Sequence, residues 1–114
     1  MADCLFCKIA KGEIPADIVY EDDAVVAFRD INPQAPTHVL VIPREHVEYL
    51  TDLTGKHGKL LAQIFNGINK VAEKEGISES GFRAIGNCKR DGQQTVFHIH
   101  FHLLGGRQMT WPPG

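Results

Sequence analysis

An α+β domain, an antiparallel sheet with one long and one short helix, is predicted by three observations on this chain. First, between Thr54 and Glu75 the residues Leu60, Leu61, Ile64, Phe65, Ile68, Val71 and Ala72 recur at three- and four-residue steps, the spacing of one apolar helix face. Second, short β-rich apolar segments stand before and after that stretch, three ahead of it and two behind. Third, 114 residues suit a single domain, and no repeat, low-complexity tract or Gly/Ser-rich linker divides them.

The elements follow in order. A short helical turn is expected over Cys4 to Ala10. Strands are expected at Ile18 to Tyr20, Ala24 to Arg29 and His38 to Ile42, separated by the turn signals Glu21-Asp22-Asp23 and Asn32-Pro33, which makes them an antiparallel meander. The long helix stops at Gly76, and its interior Gly67 costs about 1 kcal/mol relative to alanine. Strands at Phe82 to Asn87 and Thr95 to Leu104 complete the sheet. Residues 1–114 read as one unit, of which 105–114 form a C-terminal tail.

Composition narrows the function. Lys and Arg number 12 against 14 Asp and Glu, a net charge of −2, so no basic field is available for a phosphate backbone and nucleic acid is not an expected partner. The apolar runs are short: Arg29 stops Ala24 to Phe28, and Pro43 stops Val39 to Ile42, so no membrane span is expected. The first fifteen residues carry no signal-peptide pattern. Three cysteines, two of them as Cys4-x-x-Cys7, do not form a secreted disulfide framework. A cytoplasmic protein is expected.

Histidine is the unusual feature: six are present, three of them within five residues. Phe97-His98-Ile99-His100-Phe101-His102-Leu103 alternates strictly, so a strand sends the apolar residues to one face and the three histidines to the other. One ion cannot hold all three, since His98 and His102 would lie about 13 Å apart on a strand, whereas Zn–N bonds are about 2.0–2.1 Å long. A buried neutral imidazole can, however, attack phosphorus without first losing a proton. His100, flanked on both sides, is the expected nucleophile. Upstream, Asp91-Gly92-Gln93-Gln94-Thr95 places a glycine turn with amide and hydroxyl donors where backbone N–H groups can cradle a phosphate. Cys4-x-x-Cys7 by itself is a weak signal, open to an inert pair, a redox dithiol or half of a zinc site.

The segment His98-Ile99-His100-Phe101-His102-Leu103-Leu104, preceded by Gly92, Gln94 and Thr95, resembles the signature of the histidine-triad (HIT) superfamily of nucleotide hydrolases and transferases. Further matches are Cys4-Leu5-Phe6-Cys7-Lys8-Ile9, Glu13-Ile14-Pro15 and Phe28-Arg29-Asp30-Ile31-Asn32-Pro33-Gln34-Ala35-Pro36-Thr37-His38. The tail, Gly105-Gly106-Arg107-Gln108-Met109-Thr110-Trp111-Pro112-Pro113-Gly114, is similar to the Hint branch, the nucleoside phosphoramidate hydrolases.

That resemblance implies a HIT-like fold, a homodimer and a two-step reaction without a catalytic cofactor. His100 would attack the α-phosphorus of a purine nucleoside 5′-phosphoramidate, the amine would leave, and water would release the nucleoside monophosphate. It further implies that His102 binds phosphoryl oxygens with His38 and His98 in support, and that Asn87, Gln94 and Thr95 surround the phosphate. Asp30 would hold the ribose, and Leu5, Phe6, Phe28 and Ile31 the base. Thr95 stands where the Hint branch usually has serine. Cys4, Cys7, His46 and His98 would hold a structural zinc, by likeness to bacterial histidine-triad proteins with a histidine after the Ile-Pro strand end, here Ile42-Pro43-Arg44-Glu45-His46. Dinucleoside polyphosphate hydrolysis and nucleotide-dependent regulation through protein partners are the competing functions. His57 and Cys88 receive no role.

Overall fold

The structure, a computed structural model, describes residues 4–114. Helix α1 spans Leu5–Ala10 and α2 Gly58–Lys74; strands β1 to β5 span Ile18–Glu21, Val25–Arg29, Thr37–Pro43, Phe82–Gly86 and Phe101–Gly105. All five strands form one antiparallel sheet in the order β1-β2-β3-β5-β4. The first three are the expected meander. The chain then passes through α2, returns as the edge strand β4, and inserts β5 between β4 and β3.

The sheet is covered on both faces, and β3 is buried at every residue because it is central. Val25 and Ala27 of β2 and Val39 and Val41 of β3 face α2, where they pack with Ile64, Ile68 and Val71. The alternate residues Val26, Phe28, Leu40 and Ile42 face α1 and pack with Phe6 and Ile9. Period-2 strands between two layers require both sets to be apolar. Gly67 has its reason here: a Cβ on it would lie 2.9 Å from Cγ2 of Val25, so the missing side chain lets α2 approach the sheet. Arg29, at the end of β2, makes a two-pronged ion pair with Glu75 just past α2, at 2.8 and 2.9 Å. That guanidinium holds the Glu75 carboxyl below its ordinary range.

Two expectations are corrected. The long helix does not start at Thr54. Two 3-10 turns, Leu50–Asp52 and Gly55–His57, come first, and the Thr54 N–H donates to His57 Nδ1 at 3.0 Å, a local bond that closes a tight turn in place of α-helix. The last strand does not run from Thr95 to Leu104 but begins at Phe101. Its partner β3 ends at Pro43, which has no N–H to donate, and the Pro43 carbonyl is taken by the ring of His98 at 2.7 Å. The facing pattern survives without the ladder. Ile99 and Leu103 are buried in the α2-side core, while Phe6 of α1 packs edge-on to His98 and His100. Phe97 is the exception, 53% exposed and edge-on to Tyr49.

Candidate active site and metal centre

The histidine row lies on the α1 face of the sheet, at the mouth of a cleft of about 690 Å³. β3 and β5 place His38 and His102 together, because Leu40 pairs with His102 and His38 with Leu104. Cleft walls come from Leu5, Phe6 and Ile9 of α1, from Phe28 of β2, and from Asp30 and Ile31 beyond it, while Thr95, His100 and His102 line the opposite end. Ile14, Asp17 and Arg29 also line it; these and Ile9 are not among the expected site residues, although Ile9, Ile14 and Arg29 lie in the quoted motifs. Asn87 is half-buried just after β4 and is not among the lining residues.

Hydrogen-bond partners settle the proton on each ring. A carbonyl oxygen only accepts. His100 Nδ1 lies 2.8 Å from the carbonyl of His98, so Nδ1 carries the proton and Nε2 is left bare. The backbone N–H of Gln34 donates to His38 Nδ1 at 3.1 Å, so the His38 proton sits on Nε2. From there it is donated to His102 Nδ1 at 2.9 Å, with Asp30 Oδ2 3.5 Å away. The proton of His102 is therefore on Nε2, its free ring edge. A bare nitrogen on His100 and an N–H on His102 result from fixed backbone partners.

Burial keeps these rings neutral. It pushes His102 down to about 4, with His100 and His38 acting the same way and Asp30 opposing. Burial also lowers His100, against the pull of the His98 carbonyl, and lowers His38, against Asp30. At neutral pH the row is a set of uncharged imidazoles, one nucleophilic and one donating.

Asp30 does two things at once. Its Oδ1 accepts the Asn32 N–H at 2.8 Å and closes a turn, while Oδ2 faces the cleft and His38. Gln94 is buried, and its amide is spent within the protein: Nε2 donates to the carbonyls of Glu48 and Val96, and Oε1 accepts the Lys89 N–H. These bonds hold a loop in which Lys89 and Gln93 adopt φ values of 61° and 59°, a conformation costing each about 1 kcal/mol or more. Gly92 allows the loop to close, since a Cβ there would lie 2.6 Å from the Cys88 nitrogen. From the tail, Arg107 donates to the Gln34 carbonyl at 3.1 and 3.2 Å and so holds the residue whose N–H orients His38.

Beside the row, Cys4, Cys7, His46 and His98 converge, all their candidate ligand atoms within 4.8 Å of one another. His98 donates through Nε2 to Pro43, so its Nδ1 is a bare lone pair. Around that lone pair stand His46 Nδ1 at 3.2 Å, Cys4 Sγ at 3.3 Å and Cys7 Sγ at 3.6 Å. A tetrahedron with zinc–ligand bonds of about 2.0–2.3 Å has edges of about 3.3–3.8 Å. The donor set fits such an ion, and the carbonyl behind His98 is the usual outer partner of a metal-bound imidazole. A second group, Asp30, His38 and His102, does not fit one. The nitrogen at its centre, His38 Nε2, carries a proton, so the group is a hydrogen-bond relay.

The chain is similar over nearly its whole length to known proteins. A purine nucleoside phosphoramidase of Escherichia coli (strain K12) is 50% identical over 107 residues, covering 94% of this chain and 90% of the relative. A 14 kDa zinc-binding protein of Zea mays is 50% identical over 112 residues, covering 96% of this chain and 87% of the relative. The crystal structure of a HIT family hydrolase from Legionella pneumophila Philadelphia 1 superposes with a TM-score of 0.96 at 56% identity, covering 98% of this chain and all of the other. The family model described as HIT domain matches residues 11–109. That span holds the whole sheet, the long helix and the histidine row, and the chain belongs to the HIT domain family.

Proposed function

We propose that the protein hydrolyses the P–N bond of purine nucleoside 5′-phosphoramidates through a nucleotidyl-His100 intermediate. The observation that carries this reading is the pair of proton positions in the row, a bare Nε2 on His100 beside an Nε2–H on His102. His100 Nε2 bonds to the α-phosphorus and the P–N bond breaks. The departing amine takes a proton, which His102, backed by His38, supplies. Water then attacks the phosphorus and returns a proton to His102, the imidazole leaves, and the nucleoside monophosphate is released. Asp30 Oδ2 accepts from the ribose hydroxyls, and the apolar walls Leu5, Phe6, Phe28 and Ile31 enclose the base. The Thr95 hydroxyl and loop N–H groups meet phosphoryl oxygens, Gln94 holds that loop in shape, and Asn87 serves the leaving-group side.

The name of the Escherichia coli relative supports the substrate class. In the test, a purine nucleoside phosphoramidate and a dinucleoside polyphosphate are offered separately without added divalent metal. Faster turnover of the phosphoramidate, with a nucleotidyl adduct on His100 in a rapid quench, is expected. No conversion by stoichiometric protein, or faster turnover of the dinucleotide, overturns the reading.

Cys4, Cys7, His46 and His98 are assigned to a zinc ion whose four protein ligands leave no position for water, so that it ties α1 to the sheet. The zinc-binding relative in Zea mays supports this. One zinc per chain is expected in protein purified without a metal-affinity tag; clearly less, with both thiols free, overturns the assignment. Among the described residues no helix is long and apolar enough to cross a membrane. Three unpaired thiols suit a reducing compartment, and the cytoplasm is the proposed location. The proposed assembly is a homodimer through the edge strand β4 and the exposed Phe65, which stacks on Phe101.

A further inference from the structure

The cysteine pair sits between two parts of the proposed site. Cys4 caps α1, its Sγ accepting the Cys7 N–H at 3.3 Å. The same helix carries Leu5, Phe6 and Ile9 as a wall of the cleft. Phe6 lies edge-on to the nucleophile, its ring centroid 5.0 Å from that of His100. At its far end α1 is held by Arg44, which donates to the Ala10 carbonyl at 2.7 Å. At its near end, among the described residues, Cys4 contacts His98 and Cys7 contacts His46 and His98. Both thiols are free and partly exposed, and their sulfurs lie within 4.8 Å of each other. Two cysteines three residues apart at a helix start can close a disulfide.

We propose that Cys4 and Cys7 form a peroxide-oxidisable pair whose disulfide releases the near end of α1 and weakens nucleotide binding. The inference rests on the zinc assignment above. One thiolate attacks hydrogen peroxide, the O–O bond breaks, and hydroxide leaves behind a sulfenic acid. The second thiolate attacks that sulfur, the S–S bond forms and a second hydroxide departs. Two protons from solvent convert the two hydroxides to water, so the sulfur pair loses the two electrons that peroxide gains. A disulfide supplies no thiolate ligands, so the zinc is released, and His46 and His98 cannot hold α1 alone. The row keeps its own anchors, Pro43 and the His98 carbonyl, so the effect falls on affinity more than on the bond-breaking step.

The experiment uses the full-length, zinc-loaded protein, treated with hydrogen peroxide. Thiol titration, intact mass, zinc release to a chromogenic chelator and calorimetric binding of adenosine 5′-monophosphate are followed together. Two of the three thiols should disappear with a mass loss of two hydrogens, zinc should be released in step, and the nucleotide Kd should rise by about tenfold. Dithiothreitol with zinc should restore it. Cys88→Ser should keep the whole response and Cys7→Ser should abolish it. Oxidation of Cys88 alone, zinc retained through peroxide treatment, or a disulfide that leaves the Kd unchanged each overturns the proposal. If the purified protein holds no zinc, the zinc assignment fails by itself, and the thiol count and Kd still decide whether the pair is a switch.

Discussion

His100 and His102 are chemically the same residue, yet they present opposite faces to the cleft because their Nδ1 atoms meet different partners. A carbonyl takes the His100 proton, whereas a donating imidazole fills the His102 nitrogen. His100→Ala should therefore lower turnover by about 10⁴-fold or more while leaving nucleotide affinity measurable, because the attacking atom is lost and the cleft is not. Retained turnover would place the nucleophile elsewhere. At Asp30 the cleft-facing Oδ2 predicts that a ribonucleotide binds more tightly than its 2′,3′-dideoxy analogue by about 1–3 kcal/mol. Asp30→Asn should narrow that gap, and equal affinities in calorimetry would leave Asp30 only its turn. The lowered histidines also set a pH dependence. An unfolded chain binds their protons near pH 6.5, but folded His102 does so only near 4. Stability should be fully present above about 6.5 and fall as pH drops toward 4, by at most about 1.4 kcal/mol per pH unit for each such histidine. Denaturant midpoints at several pH values check this, with His102→Gln expected to flatten the slope.

At the scale of elements, α2 and β2 meet at a glycine. Gly67→Ala gains helix propensity of about 1 kcal/mol but drives a methyl to 2.9 Å from Val25, a fully buried side chain whose β-branching makes it stiff at χ1. Overpacking of this kind costs about 1–3 kcal/mol, so a net loss of stability is expected. Gly58→Ala, at the start of the same helix with nothing near the added methyl, should raise stability by about 0.5 kcal/mol. Urea midpoints of the two variants separate packing from propensity. The loop before β5 obeys a different logic. Its strained residues are held by backbone bonds and by the buried amide of Gln94, a polar side chain whose three hydrogen bonds all go to backbone groups.

The whole molecule is a two-faced sheet whose halves have separate tasks. The α2 face builds the larger core, while the α1 face carries the smaller core, the cleft and the metal-ligand cluster. The open sheet has two edge strands, β1 and β4, and near β4 Phe65 is 46% exposed. An uncovered edge beside an aromatic surface is a pairing surface. Light scattering at micromolar concentration should give twice the chain mass, and Phe65→Lys should shift it toward the monomer. A monomer at every concentration would remove the proposed homodimer.

Periodicity by itself determined the layers of this protein. The three- and four-residue spacing of α2, the short apolar runs of β2 and β3 and the alternation of Phe97 to Leu103 are properties of neighbouring residues, so the elements were legible, as was the gathering of three histidines on one side. The family motifs marked His38, Asp30, Cys4, Cys7 and His46 as members of the site. Only the tertiary structure decided which nitrogen of each ring is bare, since the partners are the backbone groups of Gln34, Pro43 and His98, and a carbonyl or N–H leaves no mark in the residue type. The tertiary structure also ended the last strand at Phe101, because a strand needs a partner ladder, and β3 ends at a proline whose carbonyl belongs to His98.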